Sequence, residues 1–384
     1  MEIQRRNEAA AVQRHGGNRY NRDIVLDFSV NTNPLGLPSY IGNVLEKAAG
    51  NTALWEWYPD PDCSELRRAL SVWHGVPQEQ IVCGNGASEL LFAGVRAALA
   101  SGKKESGSAS PPLCLLPVPS FSEYERALLA AGASICYERL DETDDFAITE
   151  KILDRLTQET ALLFLCSPGN PTGRLIAPGL LQQILMRCRQ NKIGVILDTC
   201  FLELAAGAYG REAYGVTYGP GGADSFERTL LRADPDLIIL KAFTKLYAMA
   251  GLRLGYCLCG DRDMAERMRM QLPCWNVSGM AQLAGLTALD AKKSADYISQ
   301  SRGLISAQRK WVESGLIHMG FRTIPGQANF ICFYSDKSLY LPLLKRGILI
   351  RDCSSFRGLG QGWYRAAVRT QKENERLLRE LGSI

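Results

Sequence analysis

Long apolar runs are missing from this sequence. The longest, such as Ala161 to Cys166 and Leu237 to Leu240, are strand-sized and far below the roughly 20 residues a membrane span requires. Histidine is scarce, with three in 384 residues, and no CxxC occurs among the 12 cysteines, so a structural zinc site has little to draw on and no metal is expected. The cysteines are spread singly, several inside apolar segments (Cys114, Cys166, Cys257, Cys259), which suits reduced buried thiols better than a disulfide framework. The net charge is only +4, and no run of Lys and Arg interleaved with aromatics offers a surface for nucleic acid. The first twenty residues are polar and lack the apolar segment of a secretory signal, so a cytoplasmic protein is expected.

With 46% hydrophobic residues, 22% charged, 36 Gly and 17 Pro, the composition is that of a globular protein with a sizeable core, not a disordered or coiled-coil chain. From about residue 64, helix-like and strand-like stretches alternate, the pattern of a mostly parallel sheet covered by helices. Strands are expected at Ile81–Cys83, Leu113–Leu116, Ser134–Tyr137, Ala161–Cys166, Gly194–Asp198, Leu237–Leu240 and Gly255–Cys259. Helices are expected at 64–74, 87–100, 121–131, 178–191 and 261–271. After Pro273 the pattern changes to one long helical stretch, about 278–316, then strands near Phe330–Phe333 and Gly347–Ile350 and a polar terminal helix, which reads as a second, smaller domain. The segments Ala100 to Pro112 and Gly207 to Ser225 lack regular pattern. The first reads as a solvated connection, the second as a surface insertion, with a lid or dimer contact as the alternative.

In an open α/β sheet, ligands sit beyond the carboxyl ends of the strands, and four loops there stand out. Cys83-Gly-Asn-Gly-Ala-Ser-Glu-Leu90 turns from a strand into a helix, whose free N–H groups suit an anion, although Glu89 occupies the place of a third glycine and a plain turn explains it as well. Cys166-Ser-Pro-Gly-Asn-Pro-Thr-Gly173 has two prolines expected to lock an extended path around Asn170. Ile196-Leu-Asp198 ends an apolar strand in a carboxylate, whose alternative is a helix cap. The segment Lys241 to Gly255 sets Lys245 just past a strand and Arg253 eight residues on. A lysine beside apolar groups and another cation has the lowered pKa that Schiff-base formation needs, with Lys241 a competitor for the role.

Taken together, these motifs resemble the fold-type I pyridoxal phosphate enzymes, the aspartate aminotransferase superfamily, over nearly the whole chain. The resemblance implies an α/β large domain with a mostly parallel seven-stranded sheet plus a smaller α+β domain. Its boundaries would be an N-terminal arm with part of the small domain at 1–49, the cofactor-binding domain at 50–277 and the small C-terminal domain at 278–384. It implies pyridoxal 5'-phosphate (PLP) linked to Lys245, with Asp198 on the ring nitrogen, Asn170 on the ring hydroxyl and Phe121 of VPSFSEYERA stacked on the ring. The cofactor phosphate would be held by Gly86, Ala87, Ser88, Thr244 and Arg253, with Tyr58 reaching in from the partner of a homodimer. The usual Asp-Glu-Ala-Phe or Asp-Glu-Ala-Tyr is here Asp198-Thr-Cys-Phe201, which leaves the contacts around Asp198 open.

Within that superfamily the chain is most similar to the histidinol-phosphate aminotransferase branch, and there to the threonine-phosphate decarboxylases of cobalamin synthesis. The segments carrying this are His15-Gly-Gly-Asn18, Asp27-Phe-Ser-Val-Asn-Thr-Asn-Pro-Leu-Gly36, Ile350-Arg-Asp-Cys-Ser-Ser-Phe-Arg-Gly-Leu-Gly360 and Trp363-Tyr-Arg-Ala-Ala-Val-Arg369. The resemblance would assign substrate contacts to His15, Gly16, Asn31, Asn170, Arg351 and Arg365, and two arginines suit a small phosphorylated amino acid with two anionic groups. It implies decarboxylation of L-threonine O-3-phosphate. An aminotransferase of the histidinol-phosphate type and a decarboxylase of L-serine O-phosphate are the alternatives. A PLP-fold protein that binds without catalysis is disfavoured by Lys245, Asp198, Asn170 and Arg253 together, and a nucleotide-binding protein by the absence of both GxGxxG and GxxxxGK[ST].

Overall fold

The computed structural model describes residues 16–20, 22–101, 110–205 and 226–384. His15, most of the 100–112 connection and the 207–225 insertion lie outside the described residues. Thirteen strands are described: β1 (Leu26–Asp27), β2 (Ile81–Gly84), β3 (Leu113–Val118), β4 (Ser134–Arg139), β5 (Thr160–Cys166), β6 (Gly194–Asp198), β7 (Leu237–Ala242), β8 (Gly255–Cys259), β9 (Arg322–Thr323), β10 (Phe330–Tyr334), β11 (Ile348–Leu349), β12 (Arg351–Asp352) and β13 (Trp363–Ala367). Seven of them form one sheet in the order β2-β8-β7-β6-β5-β3-β4, in which β8 alone runs against its neighbours.

The central strands are continuous apolar runs because both faces of the sheet are covered. On one face lie the helices Gly86–Ser101, Ser122–Ala130 and Arg262–Arg269, with Leu90, Ala97, Tyr124 and Met268 packed on Phe164, Ile196 and Ile238. Helices Ser64–His74 and Pro178–Asn191 cover the other face through Leu66, Leu70, Leu181 and Ile184, which pack with Leu163, Leu197 and Ile239. The fold implied by the resemblance is therefore the fold of the chain. A four-stranded antiparallel sheet, β12-β13-β10-β9, and a parallel pair, β1-β11, make up the remaining β structure. Their core joins Phe28 from near the N-terminus to Phe333, Ile350, Val368 and Leu377.

The structure differs from the sequence reading in several places. The helical stretch expected at 278–316 is two helices, Gly279–Ala288 and Ala291–His318, divided where the Asp290 side chain accepts from the Lys293 N–H at 3.1 Å and caps a new helix. The strand expected at Gly347–Ile350 is split into β11 and β12, which serve different sheets. Helices Ser39–Ala49 and Phe226–Ala233 and strand β13 were not anticipated as elements. Around Asn170 the chain turns back on itself instead of running extended, with the Gly169 N–H on Arg174 O and the Gly173 N–H on Gly169 O, both at 2.7 Å.

Candidate active site

Strands β5 and β6 end in register, with Cys166 beside Asp198, while β7, whose Leu240 lies beside Asp198, runs on to Ala242. Asp198 is thus the last residue of a buried strand, and the turn Phe243–Leu246 sets Lys245 a few residues past the end of its neighbour. Between them opens a cavity of about 230 Å³. The Asp198 carboxylate is fixed by two donors: the Tyr124 hydroxyl to Oδ2 at 2.7 Å and the Cys200 N–H to Oδ1 at 2.9 Å. Thr199, where the resemblance would have Glu, directs its hydroxyl back to Leu240 O at 3.2 Å, so the strand end is closed internally. Phe121 and Tyr124 also line the cavity, edge to face at 5.6 Å, and Tyr124 in turn stacks on Phe164 at 4.1 Å.

Ala87 and Ser88, in the first turn of the 16-residue helix Gly86–Ser101, line the cavity together with Thr244 and Arg253. Free N–H groups, a hydroxyl and a guanidinium converge here, a donor set for a phosphate. Gly86 itself does not line the cavity. Its φ is +80°, and a Cβ on it would come within 2.7 Å of Arg253 Nη2, so the glycine is what lets the guanidinium pack against the turn.

Burial, then the charges of Arg365 and Arg253, against the weaker pull of Asp198, bring the Lys245 ammonium down to about 8. Lys241, its competitor in the sequence, is removed from the site altogether. It still belongs to β7, is buried, and pairs with Glu203 and with Glu227 at 2.7 Å, which hold its ammonium well above the usual range despite burial.

Gly16, Asn31, Asn170, Arg351 and Arg365 also line the cavity. Arg351 and Arg365 face each other across β12 and β13, and both are buried. Arg365 donates through Nη1 to Asn170 Oδ1 and through Nη2 to Ser29 O at 2.8 Å, while Arg351 donates to Ser355 Oγ at 2.9 Å and lies over the Phe356 ring. Burial pushes the Arg365 guanidinium down to about 10. Arg365 Nε and Asn31 Oδ1 are buried with no hydrogen-bond partner among the described residues, an arrangement that leaves a donor and an acceptor available to a bound molecule.

Besides Gly86, Tyr58 does not line the cavity: it is 78% exposed and stacked on Trp275 at 4.4 Å, while His15 lies outside the described residues. Three that the sequence reading missed hold the site together. Tyr124 anchors Asp198. Ser29 joins the N-terminal arm, its hydroxyl donating to Asp27 Oδ1 at 2.6 Å and accepting the Gly17 N–H at 2.8 Å. Asn33 ties the arm to the lysine turn, its N–H on Lys245 O at 3.0 Å and its Nδ2 on Leu246 O at 2.8 Å. For Ser29 and Asn33 the signal lay in the quoted run DFSVNTNPLG, where small polar residues interrupt what would otherwise extend a strand.

Residues 23–381 match the family model described as aminotransferase class I and II. The chain belongs to the aminotransferase class I and II family. Enzymes of this family depend on PLP, and the chain is a PLP enzyme of that class. It is 36% identical over 382 residues to the threonine-phosphate decarboxylase of Salmonella typhimurium, covering 96% of each. It is 29% identical over 370 residues to a histidinol-phosphate aminotransferase of Methanothermobacter thermautotrophicus, covering 94% of this chain and 89% of the other. The crystal structure of the histidinol-phosphate aminotransferase from Clostridium acetobutylicum superposes with a TM-score of 0.78 at 28% identity, covering 94% of this chain and 98% of that one. The cavity of this family member fits the cofactor: an amine of lowered pKa, a strand-end carboxylate and a helix start suited to an anion line it together. Among the described residues no helix is long and apolar enough to cross a membrane, and no group of His, Cys, Asp and Glu is placed to hold a metal ion.

Proposed function

We propose that this chain decarboxylates L-threonine O-3-phosphate, giving (R)-1-amino-2-propanol O-2-phosphate and carbon dioxide, the reaction of the aminopropanol arm of cobalamin synthesis. The observation that carries the reading is the Arg351–Arg365 pair: two buried guanidiniums on adjacent strands, both on the wall of the cavity that holds Lys245, suit one small substrate with a carboxylate and a phosphate. The identity of 36% to a decarboxylase, against 29% to an aminotransferase over similar coverage, supports the choice of reaction.

When bound, PLP supplies an electron-accepting ring conjugated to the substrate amine. Asp198, held by Tyr124 and the Cys200 N–H, keeps a proton on the ring nitrogen. Asn170, whose Oδ1 is committed to Arg365, has Nδ2 left to donate to the ring hydroxyl, and Phe121 covers the ring face. Gly86 shapes the turn whose Ala87 and Ser88, with Thr244 and Arg253, take the cofactor phosphate, and Lys245 anchors the cofactor through its amine. Arg365 and Arg351, helped by His15, Gly16 and Asn31, would take the carboxylate and the phosphate of the substrate and so set which bond at Cα is presented for cleavage. The chemistry this arrangement would support is loss of the carboxylate as carbon dioxide, with the electron pair left at Cα taken up by a proton that the Lys245 ammonium would hold and deliver.

The same reading takes the chain as a cytoplasmic homodimer with the cofactor-binding domain at 50–277 and smaller parts at 1–49 and 278–384. Trp55, Trp57, Tyr58 and Trp275 are large and exposed, which favours a partner subunit over them and Tyr58 at the partner's phosphate. A second reading, aminotransfer to an oxo acid, has the histidinol-phosphate aminotransferase relatives in its favour. Incubation with L-threonine O-phosphate and no oxo acid separates the two. Continuous carbon dioxide release with the visible absorbance of bound PLP persisting is expected. A single-turnover loss of that absorbance without carbon dioxide would replace the decarboxylase by the aminotransferase. L-Serine O-phosphate is the comparison substrate, since one methyl group is worth only about 1–3 kcal/mol of discrimination.

A further inference from the structure

Glu89 stands where a dinucleotide-binding turn would carry its third glycine, and the reaction above gives it no task. In the structure one of its oxygens, Oε2, accepts two hydrogen bonds: from the Asn85 backbone N–H at 2.7 Å and from Asn276 Nδ2 at 2.6 Å. Asn85 immediately precedes the helix Gly86–Ser101, so the first bond closes the turn whose next residues, Ala87 and Ser88, line the cavity. The second bond reaches a different part of the chain, the connection between Arg262–Arg269 and Gly279–Ala288. That connection is held in an unfavourable shape: Trp275, next to Asn276, has a φ of +59°, costly for a bulky side chain, while its ring stacks on Tyr58. A segment kept in such a conformation by contacts on both sides is a rigid brace rather than a passive link.

We propose that Glu89 and Asn276 are positioning residues for the cofactor-phosphate turn. They fix Asn85, and through it the direction of the N–H groups of Ala87 and Ser88. A carboxylate beside a bound phosphate dianion is repulsive, yet both bonds use a single oxygen, so what the turn requires is the acceptor and not the charge. A glutamine carbonyl meets the same requirement. The inference rests on the assignment of Ala87 and Ser88 to the cofactor phosphate.

The test is the dissociation constant of PLP, measured by visible absorbance on the full-length enzyme after removal and return of the cofactor. Glu89→Ala is expected to weaken binding about tenfold, Glu89→Gln to bind as tightly as the parent or more so, and Asn276→Ala to fall between. The double variant should be no weaker than Glu89→Ala alone, because Asn276 acts through Glu89. Retained folding of Glu89→Gln keeps the comparison meaningful if Glu89→Ala is unstable. Parental affinity in Glu89→Ala, or Glu89→Gln as weak as Glu89→Ala, overturns the proposal. Arg253→Met, which removes the side-chain cation assigned to the same phosphate, distinguishes the two levels: parental PLP affinity there removes the phosphate assignment itself, whereas a weakened Arg253→Met beside an unaffected Glu89→Ala removes only the brace.

Discussion

The Tyr124 hydroxyl donates to Asp198 Oδ2 at 2.7 Å, joining a helix on one face of the sheet to the carboxylate at the end of its central strand. Burial and then the Asp198 charge hold the phenol well above its usual range, so it donates at every working pH. Tyr124→Phe removes the donor and leaves the ring stacked on Phe164. A buried hydrogen bond of this kind contributes about 0.5–1.5 kcal/mol, so kcat should fall roughly three- to tenfold with little change in melting temperature. Steady-state kinetics with calorimetry checks this, and an unchanged kcat would show that the Cys200 N–H alone suffices to hold the carboxylate.

Lys245 offers a pH signature. Its ammonium is lowered to about 8 by burial and by Arg365, so the free amine of the cofactor-free enzyme appears at a pH well below the usual 10.5. The rate at which PLP re-forms the holoenzyme should therefore rise through about pH 8 and level off above it. Arg365→Met removes one of the charges that lowers it and should move the midpoint upward. A midpoint near 10.5 in the parent would contradict the geometry.

The two arginines should respond differently to substitution. Arg351→Ala removes one charged anchor, about 1.5–3 kcal/mol, and should lower kcat/KM by roughly ten- to a hundredfold, mainly through KM. Arg365 also holds Asn170 and the Ser29 carbonyl. Arg365→Lys keeps a charge but cannot span both, so it should lose kcat as well as KM. Equal effects in the two variants would count against the positioning part of Arg365.

How much of this was legible in the sequence depends on the residue. Asp198 ends an apolar run that could only be a covered strand, and the parallel order then puts it at the ligand edge. The seven-stranded sheet was legible for the same reason. Only the resemblance chose Lys245 over Lys241; the residues by themselves left both open, because the choice turns on where β7 ends and on Glu203 and Glu227, which only the tertiary fold brings to Lys241. In FSEYERA, Tyr124 reads as the buried side of a helix, and nothing in the spacing says that its hydroxyl meets a carboxylate 74 residues on. The brace at Glu89 was hidden likewise: its second partner, Asn276, is 187 residues away.

The same pair of lysines separates stability from chemistry. Burial alone would raise the Glu227 carboxyl, but Lys241 and, less, His74 hold it down to about 2, while burial pushes the His74 imidazole, bonded to the Tyr256 hydroxyl at 2.9 Å, down to about 4. Both groups bind fewer protons in the folded chain than in the unfolded one. Glu227 therefore contributes stability that is present above pH 4.5 and lost toward 2, and the His74 contribution is lost as the pH falls from 6.5 toward 4. Stability should begin to fall below about pH 6.5 and go on falling through the carboxylate range toward pH 2, which acid titrations of unfolding check. Lys241→Met leaves the buried Glu227 and the part-buried Glu203 without their cation and should cost about 3–5 kcal/mol of unfolding free energy. Lys245→Ala should do the reverse, abolishing turnover while leaving unfolding at neutral pH unchanged or slightly improved, since it removes an ammonium that its surroundings disfavour. Denaturant titrations of both variants beside carbon dioxide release decide the matter, and turnover surviving in Lys245→Ala would remove the catalytic assignment from Lys245.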